Sequence, residues 1–170
     1  MKLYLFMEVN HLFEVGDKIV YPMHGAGVIK GIEEKEILGT KKTYYIINIP
    51  ISNMNVMIPM EKAKESGIRA VVDPSALESV LETFHSEESD ESMTWKQRYN
   101  ENLKKISSGK ITECAEVVRD LIRNNKKRTL NASEKKMLDT AKKILISEFS
   151  LVKKMPENQV ITLFREQNID

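Results

Sequence analysis

The sequence predicts an α+β protein, a small antiparallel β domain followed by a compact all-helical domain. Two changes along the chain predict it. The hydrophobic period passes once from strand-like to helical, near "VVDPS". The charge changes sign near an acidic stretch, "HSEESDES". Residues 1–92 hold 9 Lys and Arg against 15 Asp and Glu, a net of −6. Residues 93–154 hold 16 against 7, a net of +9, and residues 155–170 hold 1 against 3. The overall +1 therefore hides a dipole, with the basic part suited to a polyanionic partner. A helical bundle with a lysine-rich solvated face would carry the same charge.

Composition sets the outer bounds. At 170 residues, 41% hydrophobic and 30% charged, the chain has the profile of a globular protein with one core or two small ones. No apolar run approaches the ~20 residues of a membrane span. The start, "MKLYLFMEVNHLF", has one lysine, a very short apolar stretch and no small-residue cleavage site, so it does not read as a secretory signal. A cytoplasmic protein is expected. The single cysteine, Cys114, fits a reducing compartment and reads as a small buried hydrophobe.

The β elements come first. Between Asp17 and Ile58, "DKIVYP", "GVIKGIEEKEI", "KTYYIINI" and "NVMIP" are short and rich in Val, Ile and Tyr. Turn chemistry in "HGAG", "LGTKK" and "ISN" separates them. Gly25 and Gly27 are expected at turn and bulge positions. They do not read as a phosphate cradle, since no helix pattern follows them. His24 has no second histidine, cysteine or carboxylate at ligand spacing, so neither a metal nor a catalytic role is assigned to it. Met54, Met57 and Met60 recur every third residue, which suits neither strand face consistently and reads as packing or an adaptable contact surface.

The helices follow. Asp73 as N-cap and Pro74 at the first helical position open a short helix to about Phe84. Thr94 and Gln97 have capping-box spacing and start a helix at Trp95, which "SSG" and Gly109 stop. Ile111, Cys114, Ala115, Val118, Leu121 and Ile122 form the apolar stripe of the next helix. Asn131 and Glu134 repeat the capping-box spacing ahead of a long helix striped by Met137, Leu138, Ala141, Ile144, Leu145 and Val152. Pro156 ends it, and "ENQVITLFREQ" reads as an amphipathic tail helix. Trp95, the only tryptophan, has two readings. With Tyr99, Leu103 and Ile106 it falls at i, i+4, i+8 and i+11, the end of a core stripe; beside the acidic linker, with Lys96 and Arg98 adjacent, it is an exposed aromatic contact.

"FEVGDKIVYPMHGAGVI", then a small all-β region, then "TWKQRYNENLKKISSG", "AEVVRDLIR" and "LNASEKKMLDTAKKILISE" together resemble the CarD/CdnL family of bacterial transcription regulators, in one colinear order from about Phe13 to Val152. The resemblance implies a Tudor-like N-terminal domain, similar to one in the transcription-repair coupling factor, that binds the β subunit of RNA polymerase. It also implies a helical domain that binds promoter double-stranded DNA near the upstream edge of the bubble and holds the promoter open.

On that reading the chain divides into an N-terminal extension (1–12), the Tudor-like polymerase-interaction domain (13–72), a short helix and acidic linker (73–92), the helical DNA-binding domain (93–154) and a tail helix (155–170). Trp95 matches the family's minor-groove wedge, and Arg98 and Lys135 match positions associated with DNA contact. Lys96 beside them completes the expected DNA-binding set. Lys35 matches a basic position on the polymerase side, and Val56, Met57 and Ile58 lie on an expected pairing edge. Departures are Gln97 and Asn100, where basic residues are common, and Met57, where some members have arginine. No cofactor, metal, small-molecule substrate or membrane partner is implied. With no nucleophile–base pair, metal cluster or phosphate loop in the sequence, an enzyme is not expected. The alternative is a protein-only adaptor that binds one partner through its β domain and another through its lysine-rich helices.

Overall fold

A computed structural model describes residues 11–86 and 92–169. Most of the N-terminal extension (residues 1–10), the centre of the acidic linker (87–91) and residue 170 lie outside the described residues.

The first part is the expected Tudor-like domain, a five-stranded antiparallel sheet in the order β4-β3-β2-β1-β5. The strands are β1 (Lys18–Tyr21), β2 (Gly25–Ile37), β3 (Thr40–Ile49), β4 (Met54–Pro59) and β5 (Arg69–Ala70), the last too short to be legible as a strand. Period-two alternation sets its inner face. Tyr45, Ile47 and Ile49 of β3 are fully buried with Ile19 and Ile29. The Tyr45 hydroxyl accepts a hydrogen bond from Phe13 N–H at 3.1 Å, so burying the ring leaves no polar atom unpaired.

Gly25, expected at a turn position, is the first residue of β2 and pairs with Tyr21 just after the turn, where it holds a φ of +114° that favours glycine. The bulge, however, is not at Gly27. The register steps from Ile29↔Ile47 to Gly31↔Ile46, so Lys30 is the extra residue. Gly27 serves close packing instead, since a Cβ there would stand 2.3 Å from the Asn48 carbonyl oxygen. The three methionines also separate. Met54 and Met60 pack on the β core, whereas Met57 faces outward. The strand ends at Pro59, and Met60 opens a single helical turn, α1 (Met60–Ala63), which is why a three-residue spacing fits neither face.

The second part contains α2 (Pro74–Thr83), α3 (Trp95–Ser107), α4 (Ile111–Lys127), α5 (Ala132–Lys153) and α6 (Glu157–Glu166). Both capping boxes form, Thr94 with Gln97 and Asn131 with Glu134. Asp73 occupies the N-cap of α2 without a side-chain cap bond, so Pro74 carries the start signal. The stripes of α4 and α5 meet in one core, which also takes in Leu77 and Val80 of α2 and Val160 and Phe164 of α6. Phe164 packs edge-on against Phe149, with ring centroids 5.0 Å apart. Segments 73–92 and 155–170, divided off by sequence, thus each lend a helix to the helical body.

Candidate nucleic-acid interface

One carboxylate ties three helix ends together. Glu134, only 1% exposed, closes the α5 capping box: its Oε2 accepts from Asn131 N–H at 3.1 Å while its own N–H donates to Asn131 Oδ1 at 2.9 Å. Arg128, just past the end of α4, donates Nη2 to Glu134 Oε1 at 2.8 Å, and Arg98 of α3 reaches the same oxygen at 3.4 Å. Arg98 also donates to the Met93 carbonyl at 3.3 Å, which fixes the chain entering α3. Burial pushes the Glu134 carboxyl up, but the Arg128 hydrogen bond, the Asn131 N–H and the charges and donors of Arg128 and Arg98 outweigh it. The group lies below its ordinary value. A buried carboxylate is costly unless paired, so this junction holds the starts of α3 and α5 and the end of α4 as one unit.

Trp95 is the first residue of α3 and is 48% exposed. The core-stripe reading fails at that end of the helix. The side of α3 turned inward runs through Tyr99, Asn102 and Ile106, with polar Asn102 buried and apolar Leu103 exposed. Lys96 Nζ lies 5.9 Å from the Trp95 ring centroid, a cation–π arrangement on an open aromatic.

Lys135 stands exposed in the first turn of α5, and among the described residues no carboxylate pairs with it. It borders a shallow hollow of about 210 Å³ with Asn125, Leu130, Leu138, Asp139 and Lys142. Lys136 follows it, and Lys126 and Lys127 close the last turn of α4 at the same end of the body. Arg98, expected as a DNA contact, already has a partner within the protein. Its side chain is only 16% exposed and is engaged with Glu134. Arg128 and Glu134 were missed by sequence reasoning. Glu134 was legible only as the third residue of a capping box, and its two arginines come from α3 and from just past the end of α4.

The β-domain residues fall on two different edges of the sheet. Val56, Met57 and Ile58 lie on β4, an outer strand paired only with β3. Ile58 is buried, Val56 partly so, and Met57 is 40% exposed, so only Met57 presents its side chain outward. Lys35 lies on the far half of β2. That half runs past the end of β1 and pairs with β3 alone, leaving its other edge open. Lys35 is exposed and pairs with Glu33 at 3.2 Å.

Among the described residues, no group of three or more His, Cys, Asp and Glu could hold a metal ion, and no helix is long and apolar enough to cross a membrane. Burial pushes the Cys114 thiol up to about 12, which makes it a poor nucleophile. His24 stacks on Tyr21 with ring centroids 4.5 Å apart.

Residues 13–72 match the model of the CarD-like/TRCF RID domain, and residues 79–165 match that of the CarD C-terminal domain. The chain is 54% identical over 149 residues to a Bacillus subtilis (strain 168) protein named "Putative transcription factor YdeB", a match covering 88% of this chain and 97% of the relative. Two domain models in tandem and a relative matched over nearly its whole length place the chain in the CarD-like family.

Proposed function

We propose that this protein is a non-enzymatic transcription regulator of the cytoplasm that bridges the RNA polymerase β subunit and promoter DNA and stabilises the open promoter complex. The observation that carries the reading is Trp95, a half-open indole at the head of α3 with Lys96 beside its ring, on a helix start that the Glu134 junction ties to the start of α5, where Lys135 and Lys136 are exposed. An apolar wedge at a base step costs a few kcal/mol of unstacking, and it stabilises a bent or opened duplex only where phosphate contacts offset that cost. The lysines at this end supply such contacts, and the ring supplies the wedge. The match of residues 13–72 to the CarD-like/TRCF RID model supports the polymerase half of the bridge.

The test is the lifetime of open promoter complexes formed by a bacterial RNA polymerase with and without the full chain. It is accompanied by titration of the chain against duplex and forked DNA at several salt concentrations. The reading expects a longer lifetime and salt-dependent DNA binding. Binding to polymerase with no salt-dependent affinity for either DNA would instead favour an adaptor joining two proteins.

A further inference from the structure

The two halves of the molecule meet at a built polar contact. Glu148 of α5 is fully buried. Arg69 of β5 grips it bidentately, Nη1 to Oε1 at 2.7 Å and Nη2 to Oε2 at 2.9 Å, and Val72 N–H donates to Oε1 at 3.0 Å. The same guanidinium donates Nε to the Gly109 carbonyl between α3 and α4 at 2.6 Å, and Nη1 to the Ala70 carbonyl at 3.0 Å. One arginine of the sheet therefore holds both the C-terminal half of α5 and the α3–α4 turn.

Neighbouring contacts repeat the pattern. Ala26 N–H donates to Ser147 Oγ at 2.9 Å, and Lys18 Nζ donates to the Leu151 carbonyl at 3.1 Å. Pro22 fits against Gly109, where a Cβ would stand 3.0 Å from its Cγ. Buried ion pairs are a weak source of stability, because desolvation consumes most of the Coulomb gain. Their directional geometry fixes arrangement instead, and domains joined by one linker otherwise move relative to each other.

From this geometry we infer that Arg69 and Glu148 form an interdomain latch, a pair of positioning residues that sets the orientation of the polymerase-contacting edges relative to Trp95. The inference rests on the bridging function proposed above. A bridge acts on the open complex only if both ends engage together; an anchored domain whose partner swings freely delivers its wedge to the junction a small fraction of the time.

The test uses the full chain in two variants. Arg69→Gln with Glu148→Gln removes both charges, so no orphan ion is left buried, and Arg69→Lys keeps the charge but cannot span Gly109 and both carboxylate oxygens. Polymerase affinity and duplex affinity, each measured alone, should stay within about twofold of wild type. The increase in open-complex lifetime should fall about tenfold in the double variant and by less in Arg69→Lys, and small-angle scattering should show a wider particle in the same order. Three results overturn the latch: an unchanged lifetime with a wider particle, an unchanged particle and lifetime in both variants, or loss of polymerase or DNA binding alongside the lifetime in both. If the wild-type chain itself fails to prolong open complexes, the bridging reading falls first and the latch with it.

Discussion

Replacing Trp95 with alanine separates a wedge from a core residue by magnitude. A tryptophan buries ~150–250 Å² when fully covered, and this one is 48% exposed, so about 100 Å² is at stake. At ~25 cal/mol per Å² that is at most ~2.5 kcal/mol, an upper bound because the unfolded chain also covers some of the ring. Alanine regains up to ~0.7 kcal/mol as the better helix former. The expected loss is therefore ~1–2 kcal/mol in denaturant unfolding of the full chain, against ~3–5 kcal/mol for a fully buried tryptophan. The functional loss should be larger. An aromatic ring stacked on an exposed base contributes ~1–3 kcal/mol, which corresponds to a roughly fivefold to hundredfold shorter open-complex lifetime after competitor challenge. Trp95→Phe should retain part of the effect. A stability loss above ~3 kcal/mol, or an unchanged lifetime while the protein stays bound, would refute the wedge.

Other expectations follow from the same geometry. Glu134 has its carboxyl held below the ordinary value of 4.5, so the unfolded chain binds the proton more tightly than the folded one. Its contribution should be complete above about pH 4.5 and lost as pH falls through the lowered folded value. Glu134→Gln should flatten that part of the stability–pH curve, and an unaltered acid limb would show that the junction is not energetically coupled. Lys135→Glu should weaken DNA binding about equally across sequences and make its salt dependence shallower by about one contact, because phosphate carries no base information. Arg98→Glu, facing a carboxylate, should lower stability along with DNA binding, and a purely functional loss would restore Arg98 as a direct contact. Lys35→Glu and Met57→Glu probe opposite edges of the sheet, and the one that reduces polymerase capture by residues 11–169 identifies the pairing edge. Gly27→Ala should cost about 3 kcal/mol, since its Cβ would collide with backbone; a neutral substitution would mean that β3 shifts freely.

The elements were legible where local chemistry decides them. Thr94–Gln97 and Asn131–Glu134 mark helix starts through bonds within four residues, and the stripes of α4 and α5 follow from period alone. What escaped depends on distant partners. The bulge at Lys30 is set by the match of β2 to β3, and β5 has two residues and exists through pairing with β1. The inward side of α3 was drawn through Leu103 because it is apolar, while packing turns Asn102 inward. The residues expected at the DNA face were found near one another, yet the role of each was not legible. Arg98 and Lys135 are both cations in a helix's first turn or so, and only the position of Glu134 distinguishes the spent charge from the open one.

That distinction changes what the charge count means. Residues 93–154 contain seven carboxylates, and every one is met by a cation: Glu101 by Lys104, Glu113 by Lys110, Glu116 by Lys105, Asp120 by Arg119, Glu134 by Arg98 and Arg128, Asp139 by Lys143, and Glu148 by Arg69. Internal pairs offer little to an incoming phosphate, because a carboxylate beside the cation repels it. Of the other cations, Lys96 stands beside Trp95, and Lys126, Lys135 and Lys136 stand near the α4–α5 junction with no carboxylate partner among the described residues. A few phosphate contacts give DNA affinity that fades quickly with salt. On the bridging function proposed above, such a face becomes effective once the β domain is anchored nearby, because tethering raises the local concentration to the millimolar range. On the proposed bridging function, weak DNA affinity, a single aromatic wedge and a rigid link to an anchored domain belong to one arrangement, in which polymerase would supply the place and the helical end the preference for opened DNA.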